Sequence, residues 1–149
     1  MYNLHPGSNR EGVRVGQRFV ASTQLTPQSV SSFAKASGDD NPIHYDADYA
    51  KTTRFKRPIA SGTQTGALLM GATASHFSQQ GAMLGLEFSL KFKCPVYADE
   101  KVKVEWLIVR VTDSERLQGQ LIDLRGRLKK EDGETAVGAK GRVLLTDKL

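Results

Sequence analysis

The second half of the chain is a succession of alternating apolar and polar residues. Leu86, Phe88, Leu90 and Phe92 alternate with Glu87, Ser89, Lys91 and Lys93, and Val102, Val104, Trp106 and Ile108 alternate with Lys101, Lys103 and Glu105. Ile122, Leu124 and Leu128 keep the same period, as do Val137, Ala139, Val143 and Leu145. A period of two places each apolar set on one face of an extended strand, so these runs predict half-buried strands. Asp132-Gly133 between the last two is a hairpin signal, because both residue types tolerate the positive φ of a tight turn. A shorter strand is expected over 18–25.

Two helices precede this sheet. Thr26 can cap the first, Pro27 suits its first position, and Val30, Phe33 and Ala34 form its buried stripe, with Gly38 placed to end it. The second opens at Ser61-Gly62-Thr63-Gln64, which reads as a capping box. Ala67, Leu68, Leu69, Met70, Ala72 and Ala74 then cover more than one face, so this helix is expected to be buried on several sides. Between the two, residues 38–58 are dense in turn formers and charges, with a short helix over Ala47–Thr52 capped by Asp46. Polar irregular segments of that length are uncommon in small domains unless they carry function.

One buried helix and a long antiparallel sheet make an α+β arrangement, with the sheet curled around the helix. The 149 residues allow one core, so residues 1–149 are expected to form a single domain with a loose arm over 1–15. No apolar run approaches the ~20 residues of a bilayer span, and the start lacks the blocks of a signal peptide, so a cytoplasmic protein without membrane contact is expected. The net charge of +5 comes from scattered Lys and Arg residues, which favours a solvated basic surface over nucleic-acid binding. Cys94 is the sole cysteine, and His5, His44 and His76 lie far apart, so neither a disulfide nor a zinc site of usual spacing is expected. Asp39-Asp40-Asn41 supplies too few oxygens for calcium, which takes about six to eight. The chemistry is expected to need no metal and no cofactor.

Candidate chemistry lies in Asp39-Asp40-Asn41-Pro42-Ile43-His44. A carboxylate and an imidazole five residues apart can face each other if the chain turns between them, and Asn41-Pro42 favours a turn. Such a pair can hold a water and shuttle a proton. Downstream, Ser61-Gly62 begins the second helix, where backbone N–H groups lack helical partners and the dipole favours negative charge. Glycine there permits close approach of a ligand, and its N–H could stabilise an enolate oxygen. Read alone, the first motif is also compatible with an ordinary turn and the second with a simple cap.

The residues from Ser37 to His44 resemble the D-x-N-P-x-H hydratase motif of the MaoC-like, R-specific enoyl-CoA hydratases. The resemblance continues through Asp46, Phe55, Arg57-Pro58-Ile59-Ala60 and Gly62, then Phe88-Ser89-Leu90-Lys91-Phe92 and Pro95-Val96, covering roughly residues 16–111. It implies the hot-dog fold and reversible hydration of trans-2-enoyl thioesters to (R)-3-hydroxyacyl thioesters. Asp39 and His44 would be the catalytic pair. Asn41, Ser61 and Gly62 would form the substrate-binding set, with Asn41 steadying the pair and Gly62 N–H facing the enolate. Leu68, Leu69 and Met70 would line an acyl tunnel, and the protein would be a homodimer. Many relatives carry histidine where this chain has Ser61, which bears on substrate preference.

The substrate partner is then an acyl-CoA or an acyl-carrier-protein thioester. A 3-hydroxyacyl-carrier-protein dehydratase and a non-catalytic acyl-thioester-binding module are the alternatives, and a thioesterase lacks a separate nucleophile. Arg54, Lys56 and Arg57 are candidates for the coenzyme A phosphates. His76 is expected to serve packing or dimer contact, Trp106 to lie in the core, and Cys94 to be unreactive.

Overall fold

The structure, a computed structural model, describes residues 12–149. Of the arm expected over 1–15, residues 1–11 lie outside the described residues. Within its described part Val13 is buried in the core, and just beyond it the Gly16 N–H donates to Ile108 O at 2.9 Å.

Five strands, β1 (Arg18–Gln24), β2 (Ala82–Phe92), β3 (Lys101–Ser114), β4 (Gly119–Lys129) and β5 (Thr135–Thr146), form one antiparallel sheet in the order β1-β3-β4-β5-β2. Three α-helices precede β2: α1 (Pro27–Ala36), α2 (Ala47–Thr52) and α3 (Gly62–Phe77). The sheet curls so that α3 touches all five strands, the α+β arrangement the alternation implies. Gly133, at φ 87°, makes the β4–β5 turn at the expected Asp132-Gly133. Among the described residues no helix is long and apolar enough to cross a membrane.

One row of inward residues locks helix to sheet. Phe19, Trp106, Gly126, Ala139 and Leu90 face one another across the five strands. The indole of Trp106, 1% exposed, lies on Gly126 and donates from Nε1 to Leu69 O of α3 at 3.0 Å. The glycines at 126 and 141 leave room for the indole. The bond satisfies the buried N–H of Trp106 and sets the height of the helix over the sheet.

Two expectations from periodicity are corrected. Beyond its first turn, where Gln64 is also buried, helix α3 buries one face and not several: Thr65, Gly66, Leu69, Thr73 and Phe77 point inward at helical spacing, while Met70 and Ala74 are exposed. Two residues of that buried face are threonines, whose hydroxyls donate back to Gly62 O at 3.1 Å and Met70 O at 2.6 Å. Along β2, the register slips between Gly85 and Glu87, and the extra residue, Leu86, is turned outward and 43% exposed. Phe92 keeps the inward register but is 58% exposed, because β2 is an edge strand.

Capping also differs in detail. The full box forms at α1, where Thr26 and Ser29 bond each other reciprocally. At α3 only half is made: Ser61 Oγ accepts from Gln64 N–H at 3.2 Å, while Gln64 Oε1 is buried without a partner.

A methyl group at position 126 would collide with the Trp106 ring. Gly126→Ala is therefore expected to cost about 1–3 kcal/mol in urea unfolding. A midpoint equal to or above that of the native protein would contradict this account of the core.

Candidate active site

The end of α1 delivers Asp39. Gly38, at φ 76°, reverses the chain, and the Asp39 N–H donates back to Ala34 O at 2.9 Å. Asp39 Oδ1 then accepts the Asn41 N–H at 3.0 Å, and Asn41 Oδ1 accepts the Ile43 N–H at 3.3 Å. Pro42–His44 form one turn of 3-10 helix. These two short side-chain turns bend the chain so that Asp39 Oδ2 and His44 Nε2 stand 3.2 Å apart. Asn41 itself is exposed and bonded within the turn, so it positions the pair and does not line the neighbouring cleft.

The imidazole is fixed from its other side. His44 Nδ1 lies 2.7 Å from Ile59 O, an atom that can only accept, so Nδ1 carries a proton. Nε2 is left facing the Asp39 carboxylate. The side chains of His44 and Asp39 are 8% and 29% exposed, so the pair is largely screened from solvent yet open along one side.

That side is a cleft of about 410 Å³. His44, Phe55, Gly62, Thr65, Phe92 and Val137 are among its walls. Residues 58–60 hold the cleft together. Ile59 N–H donates to Ile43 O at 3.3 Å, Ala60 N–H to Val96 O at 2.7 Å, and Ala98 N–H to Pro58 O at 3.1 Å. The chain then enters α3, so the Gly62 N–H lies in the first turn of a sixteen-residue helix, on the cleft wall shared with His44. The helix supplies no acceptor for it. The imidazole of His44, with Asp39 behind it at 3.2 Å and outside the cleft lining, and an unpaired N–H at a positive helix end thus border one mostly apolar cavity. That arrangement suits addition or removal of water beside a carbonyl whose oxygen becomes negative.

The remaining sequence candidates fall differently. Ser61 is fully buried, with its Oγ bonded to Gln64 N–H and 2.9 Å from Thr63 Oγ1, so it shapes the helix start and does not line the cleft. Leu69 is in the core, Leu68 faces a separate groove beside Phe19 and His76, and Met70 is exposed; none lines the cleft. Thr65 is the α3 side chain that does. Arg57 pairs with Asp99 at 3.1 Å and stacks over the Tyr97 ring at 3.8 Å. His76 stacks on Phe19 at 3.9 Å, and burial pushes its pKa down.

Sequence reasoning missed Phe55, Thr65, Phe92 and Val137 as cleft residues, because they come from four separate parts of the chain; Phe55 and Phe92 stood within the resemblance but carried no role there. Cys94 also lines the cleft. Burial and then the Glu134 carboxylate push its thiol up, which keeps it protonated and a poor nucleophile. Among the described residues, no group of three His, Cys, Asp or Glu side chains is placed to hold a metal.

In ¹⁵N-resolved spectra, the neutral His44 ring is expected to carry its proton on Nδ1. An unprotonated Nδ1 would contradict the bond to Ile59 O.

Comparison with known proteins places these features in context. The family described as a MaoC-like domain matches residues 11–124. The (R)-specific enoyl-CoA hydratase of Aeromonas caviae is 33% identical over 135 residues, which cover 91% of this chain and 97% of that protein. A mitochondrial 3-hydroxyacyl-[acyl-carrier-protein] dehydratase of Solanum lycopersicum is 25% identical over 134 residues, covering 89% of this chain and 78% of that protein. Among solved structures, the (R)-hydratase from A. caviae involved in PHA biosynthesis superposes with a TM-score of 0.82 at 29% identity, covering 91% of this chain and 98% of that one.

Proposed function

The chain belongs to the MaoC-like family, and from that premise we propose that Asp39 and His44 carry out reversible hydration of trans-2-enoyl thioesters to (R)-3-hydroxyacyl thioesters. The protein is a hydro-lyase, and the observation that supports these two residues is their approach to 3.2 Å beside a cleft that also presents Gly62 N–H. A water held by the pair adds its oxygen to the β-carbon. Its proton passes to the pair, and the pair returns one proton to the α-carbon, so it ends as it began. Charge developing on the thioester oxygen meets Gly62 N–H at the helix terminus. A donor in such a place is worth about 10²–10³ in rate. The acyl chain rests on Phe55, Phe92 and Val137.

The carrier of the thioester has two readings. The 33% identity to an enoyl-CoA hydratase favours coenzyme A, while the Solanum relative acts on a carrier protein by its name. Relative rates on the two thioester forms decide between them.

A homodimer belongs to the same proposal. Edge strand β2 leaves one side of its backbone unpaired, and Leu84, Leu86 and Phe92 along it are exposed, as is Met70 on α3. Sedimentation should give twice the chain mass, with Leu86→Glu shifting it towards the monomer. A native protein of single-chain mass would overturn the dimer.

On crotonyl-CoA, Asp39→Asn and His44→Ala are each expected to lose a hundredfold or more in turnover, about 3 kcal/mol of barrier, with native circular dichroism retained. Turnover that survives both substitutions would place the chemistry on other residues.

A further inference from the structure

The outer face of the sheet divides its charges unevenly. One row across the strands, Glu87, Arg142 and Asp123, is internally neutralised: Asp123 accepts from Arg142 Nε and Arg110 Nε, each at 2.7 Å. Both arginines hold the Asp123 carboxyl below its usual range, Arg142 most. Two rows away, Glu105 accepts from Arg127 at 2.8 Å, with Lys103 at 3.5 Å and Lys129 at 3.6 Å. The row between them reads Ser89, Lys140, Arg125 and has no acid.

Lys140 and Arg125 meet Lys91 and Lys93 around a concavity of about 310 Å³. Among the described residues no carboxylate lies within ion-pairing distance of any of the four. Gly138, on the outward face of β5, keeps the hollow open. A side chain there would point into the space beside the Lys93 stem. Four unneutralised cations around one hollow repel one another, and an anion of several charges relieves that repulsion. Lys93 lines both this hollow and the cleft that holds His44 and Gly62, so the two cavities meet at one side chain.

We propose that this hollow seats the phosphate-bearing nucleotide end of coenzyme A, with the pantetheine arm passing Lys93 into the cleft. The identity of the carrier rests on the hydratase reading above. A diphosphate plus a ribose 3′-phosphate presents several negative charges close together, which suits a cluster and not a single cation. Arg125 adds the planar fork that pairs two phosphate oxygens at once. The cation that the sequence suggested for this duty, Arg57, is already paired with Asp99 and stacked on Tyr97.

The test compares kcat/KM on crotonyl-CoA with kcat/KM on crotonyl-pantetheine, which lacks the nucleotide. In the Arg125→Ala/Lys140→Ala double variant, the preference for the coenzyme A form should fall at least tenfold, through a raised KM. Arg110→Ala, which removes a neutralised cation from the same face, should change that preference less than twofold. Calorimetric titration with adenosine 3′,5′-bisphosphate should show binding at least tenfold weaker to the double variant than to the native protein. A thermal unfolding midpoint within a few degrees of native certifies that the variant is folded. An unchanged preference and unchanged bisphosphate binding in the folded double variant would overturn the proposal. So would an equal loss in Arg110→Ala, which would indicate only the general field of the protein. A loss confined to an acyl-carrier-protein thioester would also overturn it, in favour of a protein partner. If the native protein hydrates neither thioester, the hydratase reading fails, and the bisphosphate titration still decides whether the hollow binds the nucleotide.

Discussion

The short extended segment over residues 58–61 is the constraint on which the site depends. Its carbonyl at Ile59 fixes the imidazole of His44, its N–H at Ala60 ties it to Val96, and Ser61 caps α3. Three parts of the chain that are distant in sequence therefore meet through four residues. The motif loop, the strand entry at 96–98 and the helix N-terminus cannot move independently while those bonds hold. A catalytic pair needs that restraint, because small misplacements of a reacting group cost large factors in rate.

The core sets the other coordinate. Trp106 lies on Gly126 and bonds Leu69 O, which fixes α3 against the sheet eight residues beyond Ser61. Gly62 thus has its place determined from both ends of the helix's first half. Helix α3 is also unusual in what it buries. Thr65 and Thr73 face inward, while Met70 and the exposed hydrophobic residues of β2 face out. An apolar helix face and an open sheet edge on the same molecule are the physical reason a second subunit would be stabilising.

The strands were legible because alternation needs only one buried face, and Val102 to Ile108 supply it without interruption, Ile122 to Leu128 with only Gly126 breaking the apolar set. The Asp39–His44 approach was legible from spacing, since Asn41-Pro42 forces a local turn. Three features were not. The slip at Leu86 depends on an extra residue between Gly85 and Glu87, and a polarity pattern cannot distinguish an inward leucine from a bulged one. The buried face of α3 is partly polar, so counting apolar residues pointed to Leu68 and Met70 when Thr65 reaches the cleft. Arg57 stood in the right motif to be a phosphate ligand, but Asp99 and Tyr97, forty residues away, claim it. Tertiary partners decide such cases, and a local window does not contain them.

His44 stands on one wall of the cleft with Asp39 directly behind it, so in the proposed reaction the hydroxyl and the proton should reach the same face of the double bond. Hydration of crotonyl-CoA in deuterium oxide measures this directly through the relative configuration of the deuterium and the hydroxyl in the product. The account predicts a single (3R) diastereomer from syn addition. Anti addition, or a mixture of diastereomers formed by the native protein, would mean that the proton comes from the opposite wall and that Asp39 and His44 do not carry both halves of the reaction.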